Sequence, residues 1–349
     1  MQRRHAALAA LSFCASAFGG PRGGPARAAK VQEAQAKAYG RRGDVMQFAR
    51  AVTQELSLDG AWVEATLAQA RLVAQVAQLI MPGTSPVAKN WAAYRARFVE
   101  ARRIDAGLSW WRDNDAWLRQ AEERFGVPAD VVVGIVGVET FYGRITGTFR
   151  VLDALATLSF DFPSGRSDRS AFFRSELGQF LKLARREGWD PQAVKGSYAG
   201  AMGLPQFMPS SVINYAVDFD DDGRVDLAAS NADVVGSVAH FLSEHGWRRE
   251  MPTHYAVEAP ANTLERALML VPDVVPTFSA AQMVERGAKL PDTALQHEGS
   301  LALIELLNGE AAPSYVAGSQ NFYALTRYNA SSYYAMAVIE LGRAVSAAQ

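Results

Sequence analysis

Two groups of side chains in this sequence have types and spacings that could do chemistry. The first is Glu139, which follows directly on Val131-Val132-Val133-Gly134-Ile135-Val136-Gly137-Val138. Pro128 and Asp130 suit a helix first turn, because proline gives up a donor with no partner there and an acid offsets the helix dipole. Glu139 is then expected deep in a helix, with Val132 and Ile135 seven and four residues before it and Tyr142 and Gly143 extending the same face. Aliphatic neighbours disfavour an ionised carboxyl and raise its pKa toward the range of a proton donor. Cleavage of a glycosidic bond needs such a donor at the leaving oxygen. The plain alternative is a structural acid paired with Arg144 or Arg150.

The second group is Asp218-Phe219-Asp220-Asp221-Asp222-Gly223, with acids at loop positions one, three and five and glycine at six. This is the first half of an EF-hand calcium loop. Position twelve is Ala229 where that loop has an acid, and a solvated acidic turn is the competing interpretation. Other chemistries find little support. His240 and His245 stand five apart on a predicted helix, which turns them from a common face and makes a poor metal pair. Ser197 lacks the Gly-x-Ser-x-Gly spacing of a nucleophile elbow. No glycine-rich loop ends in Gly-Lys-Ser/Thr, so nucleotide chemistry is not expected.

Helices must position both groups. Apolar residues recur at spacings of three to five from Val45 through Phe48, Val52 and Leu56, and again at Leu67, Leu72, Val76 and Leu79. Met81-Pro82-Gly83-Thr84-Ser85-Pro86 breaks this run. A second helical stretch covers about 90–125, and Gly126-Val127-Pro128 punctuates it. From there to about 250 the pattern is helices between glycine-rich loops. After Pro252 it is mixed: Leu264 to Leu270 and Ala302 to Leu307 are apolar, and Phe322 to Thr326 reads as a strand. The chain is therefore expected to be mainly α. An α-rich region spans 45–125, a helical core with the acidic loop 126–250, and a mixed region with a small β-containing part and a terminal helix 251–349.

Length and charge bound the rest. At 349 residues the chain exceeds what one core usually organises, which suggests two or three domains. Lys and Arg number 35 against 36 Asp and Glu, for a net charge of -1, so duplex nucleic acid is not an expected partner. A single cysteine excludes an intrachain disulfide and a Cys-rich zinc site. Arg3, Arg4 and His5 precede the short apolar run Ala6 to Phe18, which falls below the roughly 20 residues of a membrane span. Ala15-Ser16-Ala17 and Ala26-Arg27-Ala28 are small-x-small cleavage signals. The expectation is a signal peptide over 1–28, a flexible linker over 29–44, and a mature periplasmic chain without a transmembrane helix. Leu11-Ser12-Phe13-Cys14 puts a bulky Phe where lipoprotein processing has a small residue, so lipid anchoring at Cys14 is the lesser expectation. A disordered cytoplasmic extension is the other alternative.

The segment from Gly196-Ser197-Tyr198-Ala199-Gly200-Ala201-Met202-Gly203 through Leu204-Pro205-Gln206-Phe207-Met208-Pro209-Ser210-Ser211 resembles the membrane-bound lytic murein transglycosylase B family. So do Val138-Glu139-Thr140 and Leu152-Asp153-Ala154-Leu155-Ala156-Thr157-Leu158, with Lys89-Asn90-Trp91-Ala92-Ala93-Tyr94-Arg95 upstream and Arg327-Tyr328-Asn329 downstream. The resemblance covers about residues 40–345. It implies a lysozyme-like helical core flanked by the α-rich and small β-containing regions, acting on peptidoglycan glycan strands. Members of the family cleave the β-1,4 bond between N-acetylmuramic acid and N-acetylglucosamine without water and leave a 1,6-anhydromuramic end. The resemblance makes Glu139 the acid and then the base, with no cofactor for catalysis. A single acid suits the sequence, because Asp153 reads as an N-cap before Ala154-Leu155-Ala156 and Asp161 as a turn residue.

The resemblance further implies that Ser197 and Gln206 hydrogen-bond sugar near the cleavage point and that Tyr328, Asn329 and Tyr334 contact carbohydrate. It lengthens the acidic loop, closing it with Asp233 and the backbone oxygen of Arg224, so that Asp218, Asp220, Asp222, Arg224 and Asp233 would hold a structural calcium ion. Proteins of cell-wall synthesis are expected partners. By residue type alone, Ser197 reads as a turn residue, Gln206 as a loop-pinning amide and Tyr334 as packing beside Tyr333 and Met336. Two other functions stay open at this level: a lysozyme-type hydrolase using water, and a peptidoglycan-binding protein without activity.

Overall fold

The computed structural model describes residues 37–81 and 89–349. The expected signal peptide, Cys14 and the Pro82-to-Pro86 break lie outside the described residues. Strand β1 (Lys37–Ala38) pairs antiparallel with β2 (Arg71–Leu72) around helices α1 (Gly43–Leu56) and α2 (Gly60–Ala68). Helices α3 (Ala74–Leu79), α4 (Trp91–Arg95) and the long α5 (Ala101–Phe125) lead to α6 (Ala129–Thr140). A second two-residue pair, β3 (Phe149–Arg150) and β4 (Lys195–Gly196), brackets α7 (Val151–Phe160) and α8 (Ser170–Glu187). Then come α9 (Pro209–Tyr215) and α10 (Asn231–Glu244). Strands β5 (His254–Ala256), β6 (Ala302–Asn308) and β7 (Ala311–Gly318) form an antiparallel sheet in the order β5-β7-β6. Between β5 and β6 lie α11 (Thr263–Leu270), α12 (Ala280–Glu285) and α13 (Asp292–Leu295), and the chain ends in α14 (Gln320–Tyr328) and α15 (Ser332–Ser346). The molecule is mainly helical with small sheets.

One hydrophobic core runs from Tyr39 to Val345 and takes in the first helices, the middle of the chain and α14 and α15. The divisions expected at 125/126 and 250/251 are therefore not core boundaries. Among the described residues, only the sheet region has a separate small core, formed by Met269, Ala280, Met283, Ala288, Leu301, Leu303 and Ala317. Order also begins earlier than the linker drawn over 29–44, since Lys37 and Ala38 are already paired. Phe322 to Thr326 is helix rather than strand: Phe322 and Leu325, three apart, both turn into the core, and the Ser319 side chain caps the helix by accepting the Asn321 N–H.

The packing that matters most for function is α6 against α15. A Cβ at Gly134 would stand 2.2 Å from the Val338 carbonyl oxygen, and one at Gly342 would stand 2.1 Å from the Asp130 carbonyl oxygen. Residue numbers rise along one helix as they fall along the other, so the two run antiparallel with their backbones in direct contact. The absence of side chains at these glycines permits that approach. About one turn further along the same register, Glu139 comes opposite Tyr334. Helix α6 also stops sooner than its apolar run suggests. Phe141 and Tyr142 both adopt left-handed backbone, at φ 51° and 57°, so Glu139 is the penultimate helical residue rather than one deep inside. For bulky non-glycine side chains that conformation is unfavourable. Burial of both rings holds it.

Candidate active site

Glu139 is half-buried at the end of α6, and its Oε1 accepts a 2.6 Å hydrogen bond from the Tyr334 hydroxyl. Tyr334 has no exposed surface, so in this conformation its ring offers no open face to a sugar. Its contribution is to hold the acid. The Tyr334 ring stacks on Tyr328 at 6.3 Å between centroids and 15° between planes. Tyr328 in turn packs on Phe207 and Phe241, and its hydroxyl donates to the Pro205 carbonyl at 2.5 Å. From the other side, the Thr140 hydroxyl donates to the Leu204 carbonyl at 3.0 Å. The residue next to the acid and the aromatic stack behind it thus grip the same glycine-rich loop.

Within that loop the Ser197 hydroxyl oxygen accepts backbone N–H bonds from Ala199 and Ala201, at 3.3 and 3.0 Å, which makes it a turn-former. The Gln206 side-chain amide donates to the carbonyls of Thr146 and Gly203, at 3.1 and 2.8 Å, and so pins the loop to the segment following Glu139. Both side chains stay partly exposed. A Cβ at Gly147 would lie 2.1 Å from the Gly196 carbonyl oxygen, and this close approach brings β3 and β4 together beneath Ser197. Asn329 is buried at 3% exposure, and its Oδ1 has no hydrogen-bond partner among the described residues. A buried acceptor in that state is costly.

The pairings that would make Glu139 merely structural are not the ones these arginines adopt. Arg150 meets Asp153 at 3.3 Å, and Arg144 lies over the Phe141 ring. Asp153 is not the N-cap of α7, which begins two residues earlier. Its buried carboxylate instead accepts the Arg71 N–H, and burial raises its pKa. Asp161, at the end of α7, binds Arg42 and Tyr39. His240 and His245 each bond a backbone carbonyl through Nδ1, as satisfied histidines do.

Three contributors escaped sequence reasoning. Thr140 ties the acid to the loop as described. Glu176, buried on α8, accepts both the backbone N–H and the hydroxyl of Ser210 at the start of α9, and burial raises its pKa. Its signal was an acid between Phe173, Leu177 and Phe180 on one apolar helical face. Arg103 donates to the Gly137 carbonyl at 2.5 Å, within the last turn of the acid's own helix, and nothing in the local sequence marks it.

Residues 40–343 match the family described as the transglycosylase SLT domain. The chain belongs to that family. It is 37% identical over 314 residues to membrane-bound lytic murein transglycosylase B of Escherichia coli, covering 88% of this chain and 83% of that protein. The crystal structure of soluble lytic transglycosylase SltB1 from Pseudomonas aeruginosa superposes with a TM-score of 0.78 at 38% identity, over 87% of this chain and 99% of that one. The Escherichia coli lytic transglycosylase Slt35, solved in complex with calcium, gives 0.76 at 35% identity, over 89% and 96%.

In this transglycosylase the acidic loop gathers Asp218, Asp220 and Asp222, each offering a carboxylate oxygen within 4.8 Å of the others. Asp220 Oδ1 is buried and has no hydrogen-bond partner among the described residues. Asp218 accepts the N–H groups of Asp222 and Gly223, which curls the loop, and Gly223 takes φ 92°. This donor set of hard oxygens with one orphaned acceptor fits a calcium ion. Arg224 sends its guanidinium back to Asp222 at 3.2 Å. Asp233 does not join the three. Its two oxygens accept backbone N–H groups, from Phe219 at 2.8 Å and Asp226 at 2.6 Å, because it sits buried in the first turn of α10 where those donors converge. Among the described residues no helix of this transglycosylase is long and apolar enough to cross a membrane.

Proposed function

We propose that this transglycosylase cleaves the bond between N-acetylmuramic acid and N-acetylglucosamine in peptidoglycan without water, using Glu139 as its single acid and base. Glu139 protonates the departing O4 as the C1–O4 bond breaks, and the substrate N-acetyl group steadies the cationic C1. The resulting carboxylate takes the proton from the muramic C6 hydroxyl while that oxygen bonds to C1. Glu139 ends protonated as it began, and no proton is exchanged with solvent. The observation that carries this reading is the 2.6 Å bond from buried Tyr334 to Glu139, which fixes one carboxyl oxygen at the edge of the glycine-rich loop. Ser197, Gln206 and Tyr328 border that edge, and the unpartnered Asn329 Oδ1 suits an acetamido or hydroxyl donor of the glycan. The similarity to lytic transglycosylases of known structure supports the substrate class.

Export to the periplasm belongs to the same reading and rests on the sequence of residues 1–28. A calcium ion held by Asp218, Asp220 and Asp222, with the Arg224 carbonyl, would brace the turn into α10 and take no part in the chemistry. Borohydride reduction of the fragments released from purified sacculi tests the reaction. Hydrolysis leaves reducible muramic ends, whereas the proposed reaction leaves none. Glu139→Gln is expected to lower release by about 10²–10⁴-fold with an unchanged melting temperature. Release that survives this substitution would exclude Glu139, and no release by the parent would leave a binding protein.

A further inference from the structure

The stretch of chain that follows Gln206 is held by a helix remote in sequence. Helix α9 opens on Pro209, and its N-cap residue Met208 offers no side-chain acceptor. The Ser210 N–H, which has no partner within its own helix, is met instead by Glu176 of α8. Its Oε2 accepts that N–H at 2.9 Å while Oε1 accepts the Ser210 hydroxyl at 2.6 Å. Glu176 is 4% exposed, on a helical face with buried Phe173, Leu177 and Phe180. No cation stands within ion-pair distance of it among the described residues. A carboxyl group buried without a cation is costly in its charged form. A serine or asparagine at position 208 would cap α9 with less penalty, so capping alone does not account for Glu176.

What Glu176 adds is an anchor outside the loop's own residues. Four residues before Ser210, Gln206 stands in left-handed backbone at φ 52°, a conformation unfavourable for a non-glycine residue and kept where surrounding contacts impose it. Upstream, Met202 and Phe207 exchange backbone hydrogen bonds at 2.8 and 3.0 Å. Downstream, the restraint is Glu176 on Ser210. The span from Met202 to Ser210 contains the Leu204 and Pro205 carbonyls that Thr140 and Tyr328 grip, and the Gln206 amide that holds Thr146. Thr140 adjoins Glu139, and Tyr328 stacks on Tyr334, which bonds Glu139. On the catalytic function proposed above, we infer that Glu176 is a positioning residue for the reaction. Through Ser210 it fixes the far leg of the glycine-rich loop, and with it the place of Gln206 and Glu139 relative to the glycan. A displacement of about 1 Å is enough to slow such chemistry strongly.

Amide hydrogen exchange over 203–208 and the rate of anhydro-end release, both measured well below the melting temperature, test this role. Glu176→Met with Ser210→Ala removes both polar side chains and refills the pocket, which leaves little cost to folding. The double variant is expected to melt near the parent and to exchange about tenfold faster over that segment. It should release anhydro ends about 10–100-fold more slowly. A purely structural cap would lower the melting temperature and spare the turnover of the folded enzyme. Glu176→Gln should keep turnover within about threefold of the parent, because its amide oxygen accepts the backbone N–H and its NH₂ donates to the Ser210 hydroxyl, which rotates to accept. Parental exchange over 203–208 in the double variant would overturn the inference. So would faster exchange with parental turnover, or a Glu176→Gln enzyme as slow as the double variant. Should the double variant not fold, Ser210→Ala alone, which keeps the backbone bond, is expected to slow release several-fold, and parental turnover in it would overturn the inference. A parent that releases no anhydro ends overturns the catalytic reading and this role with it. A parent that releases them, beside a variant of parental turnover, overturns this role alone.

Discussion

Glu139 and Tyr334 are 195 positions apart in the chain and 2.6 Å apart in space, and what the acid can do depends on that meeting. Tyr334→Phe removes the donor that fixes the Glu139 carboxyl, so kcat is expected to fall, while strand affinity should change little because Tyr334 is buried. A kcat equal to the parent's would show that this bond does not operate in the working enzyme.

At the scale of elements, the crossing of α6 and α15 sets the site. Gly134→Ala would drive a methyl into the Val338 carbonyl, and the helices must separate to admit it. Overpacking of this kind typically costs about 1–3 kcal/mol, which urea denaturation would resolve, and activity should fall with it as Tyr334 is carried from Glu139. Gly43→Ala, at the first residue of α1 with nothing within 4 Å of its Cβ position, is the matched control and should be neutral or mildly stabilising. A second element-scale prediction concerns the loop ahead of α10. Calcium is expected to raise the melting temperature of the parent, because an ion that binds only the folded chain stabilises it. Asp218→Ala with Asp222→Ala should abolish the increment. Thermal shifts of equal size in both proteins would remove the site.

For the molecule as a whole, acid should act through half-buried histidines. Burial lowers the pKa of His245, His254 and His297. For His254, with the Arg343 charge adding to burial, it falls from 6.5 to about 4. Between those two pH values the unfolded chain takes a proton that the folded chain refuses. Stability is therefore full above the ordinary histidine range and is lost as pH falls toward 4. His254 lies on β5, where the sheet region meets Phe322 of the main core, at 6.3 Å between rings. His254→Gln should flatten the decline in melting temperature over that interval, and a slope equal to the parent's would place the acid sensitivity elsewhere.

The helical class, the candidate acid, the glycine-rich loop and the acidic turn were all legible in the sequence, because each is written in contiguous residues whose local chemistry is its own signature. Periodicity places the apolar faces, and Asp218, Asp220 and Asp222 come together within one curl of backbone. Only the tertiary structure decided what lies opposite them. That Tyr334 holds Glu139 follows from glycine contacts between helices remote in sequence. The stop at Thr140 follows from burial of two aromatic rings in left-handed backbone. Asp233 turned to backbone donors, Phe322 to Thr326 became helix, and the last two helices entered the main core. In each case the deciding partner lay outside the local window, and free energy of burial, which depends on what is nearby in space, outweighed local preference.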